Sequence, residues 1–307
     1  MSLRFPDPLR PGDVVAVVAP SSPFGREEFD RGVAWLSERY DVRCDEGVFS
    51  RTGYLAGSDG RRAAELAQAM GDQSVRAILV ARGGYGAMRL LDALPWKLWA
   101  ERPSWIVGFS DATALHASAW ARGVASIHGP NVTGLGRDDA GLASLRDAFR
   151  AALESPNVPR TWQGLSVVHR AVGSATGAIL GGNLALLEAM AAAGRLIIPD
   201  GAVLALEDVT ERPYRVDRML TSLRLGGHLA RLSAIVFGDF EKCDPGPDGV
   251  RIEEVLAERT LDLGIPVLVG APFGHATRNE AFVLGGLVRV ENGTLVRFSG
   301  EAAASGR

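Results

Sequence analysis

The fold of this chain is indicated by the stretch Trp105-Ile106-Val107-Gly108-Phe109-Ser110-Asp111-Ala112-Thr113-Ala114. An apolar strand ends at Ser110, and a helical pattern begins after it. Gly108 and Ala112 are small, as a sharp strand-to-helix turn requires, because bulky neighbours would clash where the chain reverses. Such a turn presents the serine hydroxyl at the end of a sheet, although Ala112 departs from the usual G-x-S-x-G of a nucleophile elbow. The alternative is that Ser110 is the N-cap of the following helix.

Strands and helices alternate on both sides of this turn. Runs rich in β-branched residues at 14–19 and 75–80 predict buried strands, with helical periodicity between them. This order predicts an α/β fold with a parallel sheet, helices on both faces, and ligands bound beyond the carboxyl ends of the strands. Gly83-Gly84 and Ser110 both fall at that edge of the sheet.

The second half of the chain has a different pattern. Its short strands and helices predict a smaller, mixed α/β domain over 166–307, which closes with a hairpin around Asn292-Gly293. The segment 156–165 contains two prolines and shows no periodicity, so we interpret it as a linker from the first domain, 1–155. The elements expected in the second domain are strands at 166–169, 175–180, 202–207, 232–238 and 265–269 and helices at 183–193, 213–224 and 250–262.

Composition excludes several classes of protein. The 307 residues carry a formal net charge of -3, without the basic stripe that nucleic-acid binding requires. No apolar run is long enough to span a membrane. Cys44 and Cys243 lie far apart, and no cluster of residues has zinc-binding spacing. We therefore expect a cytoplasmic protein without a disulfide, a catalytic metal or a cofactor, and without a nucleic-acid or membrane partner.

A serine nucleophile needs a base, and the histidines differ in how well they fit that role. His275 lies on a polar loop just after a buried strand, where a base would be placed. His128 ends a predicted strand at the same edge and is either a substrate contact or a turn residue. His116 and His169 fall inside a predicted helix and a predicted strand, which favours packing roles.

The imidazole of such a base is usually oriented by a carboxylate. Glu207 and Asp208 end an apolar strand, and the residues alone do not choose between them. The chain order of Ser110, the acid and His275 matches that of α/β-hydrolases. Oxyanion donors are available from the backbone amide of Asp111 and from the Gly83-Gly84 turn, where the main chain can approach a ligand closely.

An ordered set of motifs resembles the LD-carboxypeptidases, which include cytoplasmic murein tetrapeptide carboxypeptidases and microcin C self-immunity peptidases. The resemblance spans nearly the whole chain. Its motifs are Val18-Ala19-Pro20-Ser21-Ser22-Pro23, Ala81-Arg82-Gly83-Gly84-Tyr85-Gly86 with Arg89-Leu90-Leu91, Gly108-Phe109-Ser110-Asp111, His128-Gly129-Pro130, Gly181-Gly182-Asn183-Leu184, Leu206-Glu207-Asp208 with Tyr214, Asp217, Arg218 and Leu220, and Gly274-His275.

The resemblance implies a Ser-Glu-His peptidase with Ser110 as nucleophile, Glu207 as orienting acid and His275 as general base. It also implies oxyanion donors at Gly84 and Asp111, a Rossmann-like N-terminal domain, a smaller C-terminal domain and a homodimer. The first domain then supplies the serine, and the second supplies the acid and the base. The implied substrate is a peptidoglycan-derived tetrapeptide that loses its terminal D-alanine.

Four further residues are candidates for substrate contact. Arg82 is placed to meet the terminal carboxylate, or is a structural arginine at the sheet edge. Tyr85 and His128 neighbour the same edge, and Asn183 either contacts substrate or caps a helix.

The sequence is also compatible with two other functions. A microcin-type peptidase would hydrolyse aminoacyl-nucleotide amides, although the region after residue 169 offers no obvious tryptophan to stack on a base. A non-catalytic small-molecule-binding protein would leave Ser110, Glu207 and His275 as unrelated polar residues.

Overall fold

The structure is a computed structural model that describes residues 3–138, 140–168 and 173–297. Among the described residues, an N-terminal unit holds 3–156 and 280–283, and a C-terminal unit holds 157–279 and 284–297. His169 lies outside the described residues.

The N-terminal unit alternates strands and helices along the chain. Its elements are β1 (Val14–Val18), α1 (Arg26–Ser37), β2 (Asp41–Cys44), α2 (Asp59–Gly71), β3 (Val75–Val80), α3 (Trp96–Glu101), β4 (Trp105–Gly108), α4 (Thr113–Trp120), β5 (Ser126–His128), α5 (Val132–Leu135) and α6 (Leu142–Glu154), with 3-10 helices at Glu46–Phe49, Ala87–Ala93 and Ser110–Ala112.

A six-stranded sheet organises this unit. Its strand order is β12-β5-β4-β3-β1-β2, where β12 (Phe282–Leu284) comes from near the end of the chain. The pairs from β2 across to β5 are all parallel. Alternate residues of the central strands share one apolar core with α1 and α6, as the period of two in a strand requires. This core includes Val15, Val17, Ala77, Leu79, Trp105, Val107, Ile127, Phe29, Leu36, Phe149 and Leu153.

The C-terminal unit is built on a mixed eight-stranded sheet. Its elements are β6 (Arg160–Trp162), β7 (Ser166–Val167), β8 (Ala175–Asn183), α7 (Leu184–Ala192), β9 (Val203–Val209), α8 (Pro213–Leu225), β10 (Ala234–Glu241), α9 (Ile252–Thr260), β11 (Val267–Val269), β13 (Leu287–Glu291) and β14 (Thr294–Arg297). The strand order is β6-β14-β13-β8-β9-β10-β11-β7, and the adjacent strands β8, β9, β10 and β11 are parallel.

The predicted fold class, a parallel α/β domain followed by a mixed α/β domain, is confirmed. The hairpin is also present, because Asn292 and Gly293 adopt the positive φ values of 47° and 73° that its tight turn requires. The strands predicted around Ser110 and at 75–80 are β4 and β3.

Two of the predicted boundaries were wrong. The segment 156–165 is not a free linker, because β6 lies within it and pairs with β14. The range 166–307 is not one continuous domain either, because residues 280–283 belong to the N-terminal unit. In both places the pairing partner is distant in sequence, so local composition carries no sign of it.

Candidate active site

Ser110 adopts a backbone conformation that is rare for a residue with a side chain. Its φ angle is 61°, and it opens the 3-10 helix Ser110–Ala112 directly after β4. Holding a residue other than glycine in this region costs about 1–3 kcal/mol, and such strain is concentrated at functional sites. Neither this 3-10 helix nor α4 has a side-chain cap, so Ser110 does not fill the alternative role of an N-cap.

The turn around Ser110 leaves no room for larger neighbours. A Cβ atom built on Gly108 would lie 3.0 Å from the Cβ atoms of both Ala112 and Val80. Gly108 and Ala112 therefore permit the turn because they are small enough for its two sides to pack closely together. The φ of 61° at Ser110 and this packing together form the geometry of a nucleophile elbow.

The Gly83-Gly84 loop is packed between two serines. A Cβ on Gly83 would lie 2.8 Å from both Cβ and Oγ of Ser110, so the main chain of this loop lies against the serine hydroxyl. A Cβ on Gly84, whose φ is 106°, would lie 2.3 Å from Oγ of Ser22. Glycine is required at both positions, and the main chain can therefore approach a group bound at Ser110.

The carboxylate of Asp111 joins three loops of the N-terminal unit. Its Oδ2 accepts hydrogen bonds from Oγ of Ser21 at 2.6 Å and from the backbone N–H of Ala87 at 2.8 Å. The side chain is fully buried, and burial raises the pKa of Asp111. The loops that follow β1, β3 and β4 are thereby fixed together next to Ser110.

Asn131 is a further residue of this region, and the sequence analysis assigned no role to it. It is buried, and its Oδ1 accepts a hydrogen bond from the backbone N–H of Phe109 at 3.2 Å. A Cβ on Gly83 would lie 3.4 Å from its Nδ2. The only signal in the sequence is a polar residue just beyond the carboxyl end of β5.

In the C-terminal unit, His275 and Glu207 form a tight pair. Nδ1 of His275 lies 2.6 Å from Oε2 of Glu207, whose side chain is fully buried in β9. The imidazole is 18% exposed. With Nδ1–H donating to the carboxylate, Nε2 is the nitrogen that can accept a proton.

The loop that carries His275 is fixed just before the imidazole. Gly274 has a φ of 128°, and its backbone N–H donates to Oδ1 of the buried Asn279 at 3.3 Å. This main-chain bond restrains the loop after β11, so the ring is held from both its backbone and its Nδ1.

Asp208 is used differently from its neighbour Glu207. Its carboxylate accepts hydrogen bonds from Nδ2 of Asn183 and from the backbone N–H groups of Ala185 and Val209, at 2.8 to 3.0 Å. Burial, with the charge of Glu207 beside it, raises the pKa of Asp208 to about 6. Asp208 thus joins β9 to the start of α7, while Glu207 meets the imidazole.

The candidate substrate contacts fall in different environments. Arg82 is exposed and donates to the carbonyl oxygen of Pro23 at 2.6 Å. Tyr85 is 45% exposed, and its ring centroid lies 6.0 Å from that of Tyr54. Asn183 caps α7, because its side chain accepts from the backbone N–H of Leu186.

His128 is fully buried, against the expectation that it contacts substrate. Its ring stacks on Phe282 at 5.0 Å and lies edge-on to Phe109 at 6.0 Å. An interior place between two aromatic rings favours a packing role, and this corrects the prediction.

The buried His116 holds the strand that leads to Ser110. Its Nε2 lies 2.9 Å from the carbonyl oxygen of Gly108, and its Nδ1 lies 2.9 Å from Oγ of Ser126. The neutral tautomer with Nε2–H donating to Gly108 satisfies both contacts. Burial lowers the pKa of His116 to about 4.

The described part of the chain contains no group of three or more histidine, cysteine or acidic side chains arranged to hold a metal ion. Within residues 3–138, 140–168 and 173–297, no helix has both the length and the apolar character that crossing a membrane requires.

Both halves of the chain match domains of a known protein family. The LD-carboxypeptidase N-terminal domain matches residues 15–129, and the LD-carboxypeptidase C-terminal domain matches residues 176–290. A Synechocystis protein is 38% identical over 301 residues, which cover 94% of this chain and 96% of that protein. The murein tetrapeptide carboxypeptidase of Pseudomonas aeruginosa is 32% identical over 92% of this chain and 94% of its own.

Solved structures give the same result. The muramoyltetrapeptide carboxypeptidase from Oxalobacter formigenes superposes with a TM-score of 0.82 at 28% identity, over 93% of this chain and 99% of that one. MccF in complex with glutamyl sulfamoyl guanosine superposes with a TM-score of 0.86, over 96% of this chain and 98% of that one. Its identity is 22%, so this second similarity concerns the fold alone.

Proposed function

Because this chain belongs to the LD-carboxypeptidase family, we propose that it is a serine carboxypeptidase that removes the terminal D-alanine of murein tetrapeptide in peptidoglycan recycling. Ser110 is the nucleophile, His275 the general base and Glu207 the acid that orients it. The observation that carries the proposal is the φ of 61° at Ser110, because a strained serine after a parallel strand is the mark of a nucleophile elbow.

In the first step, Nε2 of His275 takes the hydroxyl proton while Oγ of Ser110 attacks the amide carbonyl before D-alanine. Glu207 keeps the proton on Nδ1 and stabilises the imidazolium that forms, through the 2.6 Å contact. The imidazolium then gives its proton to the departing amine. D-Alanine leaves, and water activated by the same imidazole hydrolyses the acyl-enzyme.

The tetrahedral intermediate carries a negative charge that needs fixed donors. We assign the backbone N–H groups of Asp111 and Gly84 to this role. The loops that carry them lie against Ser110 and are joined through the Asp111 carboxylate. Loss of one such donor typically slows a serine hydrolase about a hundred- to a thousandfold.

The proposal is tested by D-alanine release from tetrapeptide. We expect Ser110→Ala to abolish turnover, whereas Ser166→Ala, on the exposed strand β7, keeps the wild-type rate. Equal rates for Ser110→Ala and the wild-type enzyme would exclude a serine nucleophile. Faster hydrolysis of an aminoacyl sulfamoyl nucleoside than of tetrapeptide would instead assign the chain to the substrate class bound by MccF. The cytoplasmic location and the homodimer stay predictions.

A further inference from the structure

A bulge in β10 places a carboxylate beside the Glu207–His275 pair. β9 and β10 pair in parallel with Leu206 opposite Phe237, and the register then shifts so that Asp208 lies opposite Phe240. Glu207 is therefore faced by two residues, Gly238 and Asp239. Bulges of this kind redirect a side chain and are frequent next to active sites.

The loop that carries His275 lies across this bulge. The backbone N–H of Asp239 donates to the carbonyl oxygen of Phe273 at 2.9 Å. A Cβ built on Gly274 would lie 3.2 Å from the Cβ atoms of both Asp239 and Glu207. The two acidic side chains therefore both start next to Gly274, the residue that precedes His275.

The two carboxylates differ in their partners. Glu207 binds the imidazole, but among the described residues no hydrogen bond or ion pair reaches the side chain of Asp239, which is half-buried. The charged groups that act on it are Glu207 on β9, Glu241 on its own strand and Arg278 on the His275 loop. A half-buried carboxylate without a partner loses hydration without compensation, which is typical of a binding site.

We propose that Asp239 binds the side-chain ammonium of the residue that precedes the scissile bond, so that the enzyme prefers a basic residue there. The inference rests on the proposed function. An ammonium is a compact cation with three donors, and it would complete the hydrogen bonds that Asp239 lacks. Glu207 and Glu241 add negative potential, which disfavours an anionic sulfamate or phosphate at the same place. Lysine and diaminopimelate both provide the required group.

The test compares two tetrapeptides that differ only in this ammonium, with L-lysine or L-norleucine before D-alanine. We expect wild-type kcat/KM to be about ten- to a hundredfold higher for the lysyl peptide, the range of a hydrogen bond to a charged group. Asp239→Asn should reduce this ratio to near one. The control Asp200→Asn removes an exposed carboxylate bound to Arg231 and should keep the wild-type ratio.

Three outcomes would overturn the inference: equal wild-type rates on both peptides, equal slowing of both by Asp239→Asn, or a ratio that Asp200→Asn also removes. Calorimetric binding of the two peptides to Ser110→Ala measures the preference without turnover. Absence of D-alanine release would therefore reject the proposed function, while the difference in binding still decides the role of Asp239.

The pH dependence gives an independent check. Burial raises the pKa of Asp239 to about 6, so the lysyl-to-norleucyl ratio should rise with a midpoint near pH 6 as the carboxylate forms. A pH effect on the chemical step that both peptides share cancels in the ratio. Arg278→Gln, on the exposed part of the loop, removes the neighbouring cation and should move the midpoint to higher pH. A ratio that is constant between pH 5 and 8 would contradict the inference.

Discussion

Gly83 and Ser110 are in such close contact that a Cβ atom on the glycine would lie 2.8 Å from the serine Oγ. The nucleophile and the loop proposed to hold the oxyanion are thus a single packed element. The strained serine and the loop support each other, and a change in one must displace the other.

Gly83→Ala should consequently reduce activity without unfolding the protein. The added methyl group displaces Ser110 or the loop by a few tenths of an ångström or more, and we expect kcat to fall about a hundredfold. The control is Gly71→Ala, whose Cβ would have no atom within 4 Å. D-Alanine release and thermal unfolding would be measured for both, and equal activity in the two variants would contradict this prediction.

Asp111→Asn tests the junction between the three loops. Asparagine keeps the volume, but with its oxygen in the place of Oδ2 it buries an amide NH2 where Oδ1 has no hydrogen-bond partner among the described residues. With the amide reversed, its nitrogen cannot accept from Ser21 and Ala87. We expect kcat to fall at least tenfold, because the amide of Asp111 loses its fixed position. Ser21→Ala should produce a smaller loss of the same kind. If kcat stays at the wild-type value in both variants, the carboxylate does not position the elbow.

Glu207→Gln and Asp208→Asn separate the two adjacent acids. Glu207→Gln removes the charge opposite Nδ1 of His275, and a loss in kcat of about a thousandfold or more is expected from the analogous change in serine proteases. Asp208→Asn leaves the Glu207–His275 contact intact and should retain activity within about tenfold while lowering the melting temperature. A much larger loss of kcat in Asp208→Asn than in Glu207→Gln would assign the orienting role to Asp208.

The buried His116 should make the N-terminal unit sensitive to acid. Its pKa is lowered to about 4 in the folded state, so the unfolded chain binds its proton first as the pH falls. The free energy of unfolding should therefore decrease from about pH 6.5 downwards, by about 3 kcal/mol at pH 4. Urea unfolding of the wild-type protein and of His116→Asn between pH 6.5 and pH 4 measures how steeply the free energy of unfolding falls with pH. The same dependence on pH in both proteins would refute this prediction.

The sequence is most informative where a feature depends on neighbouring residues. β1, β3 and β4 are short runs of apolar and β-branched residues, and their burial could be predicted because central parallel strands have that composition. The turn at Ser110 could also be predicted, because the small residues that permit it, Gly108 and Ala112, are its neighbours in the sequence. Local patterns also suffice for the Asn292-Gly293 hairpin.

Features that depend on distant partners could not be predicted in this way. β6 is hidden in a segment with two prolines, and it is a strand only because β14 pairs with it. The roles of Asp111 and Asn131 depend on hydrogen bonds to other loops. His275 was selected by its place after a strand and by family resemblance, whereas the bulge at Asp239 left no recognisable pattern.

The position of β12 in the sequence determines when the six-stranded sheet can be completed during synthesis. It is the edge strand next to β5 in the six-stranded sheet, yet it is encoded more than 150 residues after β5. During synthesis from the N-terminus, the sheet that carries Ser110 therefore remains one strand short until residue 284 has left the ribosome. Until then β5 presents an open edge, on which another chain could pair. A nascent chain of this protein is thus most exposed to aggregation between the synthesis of β5 and the synthesis of β12.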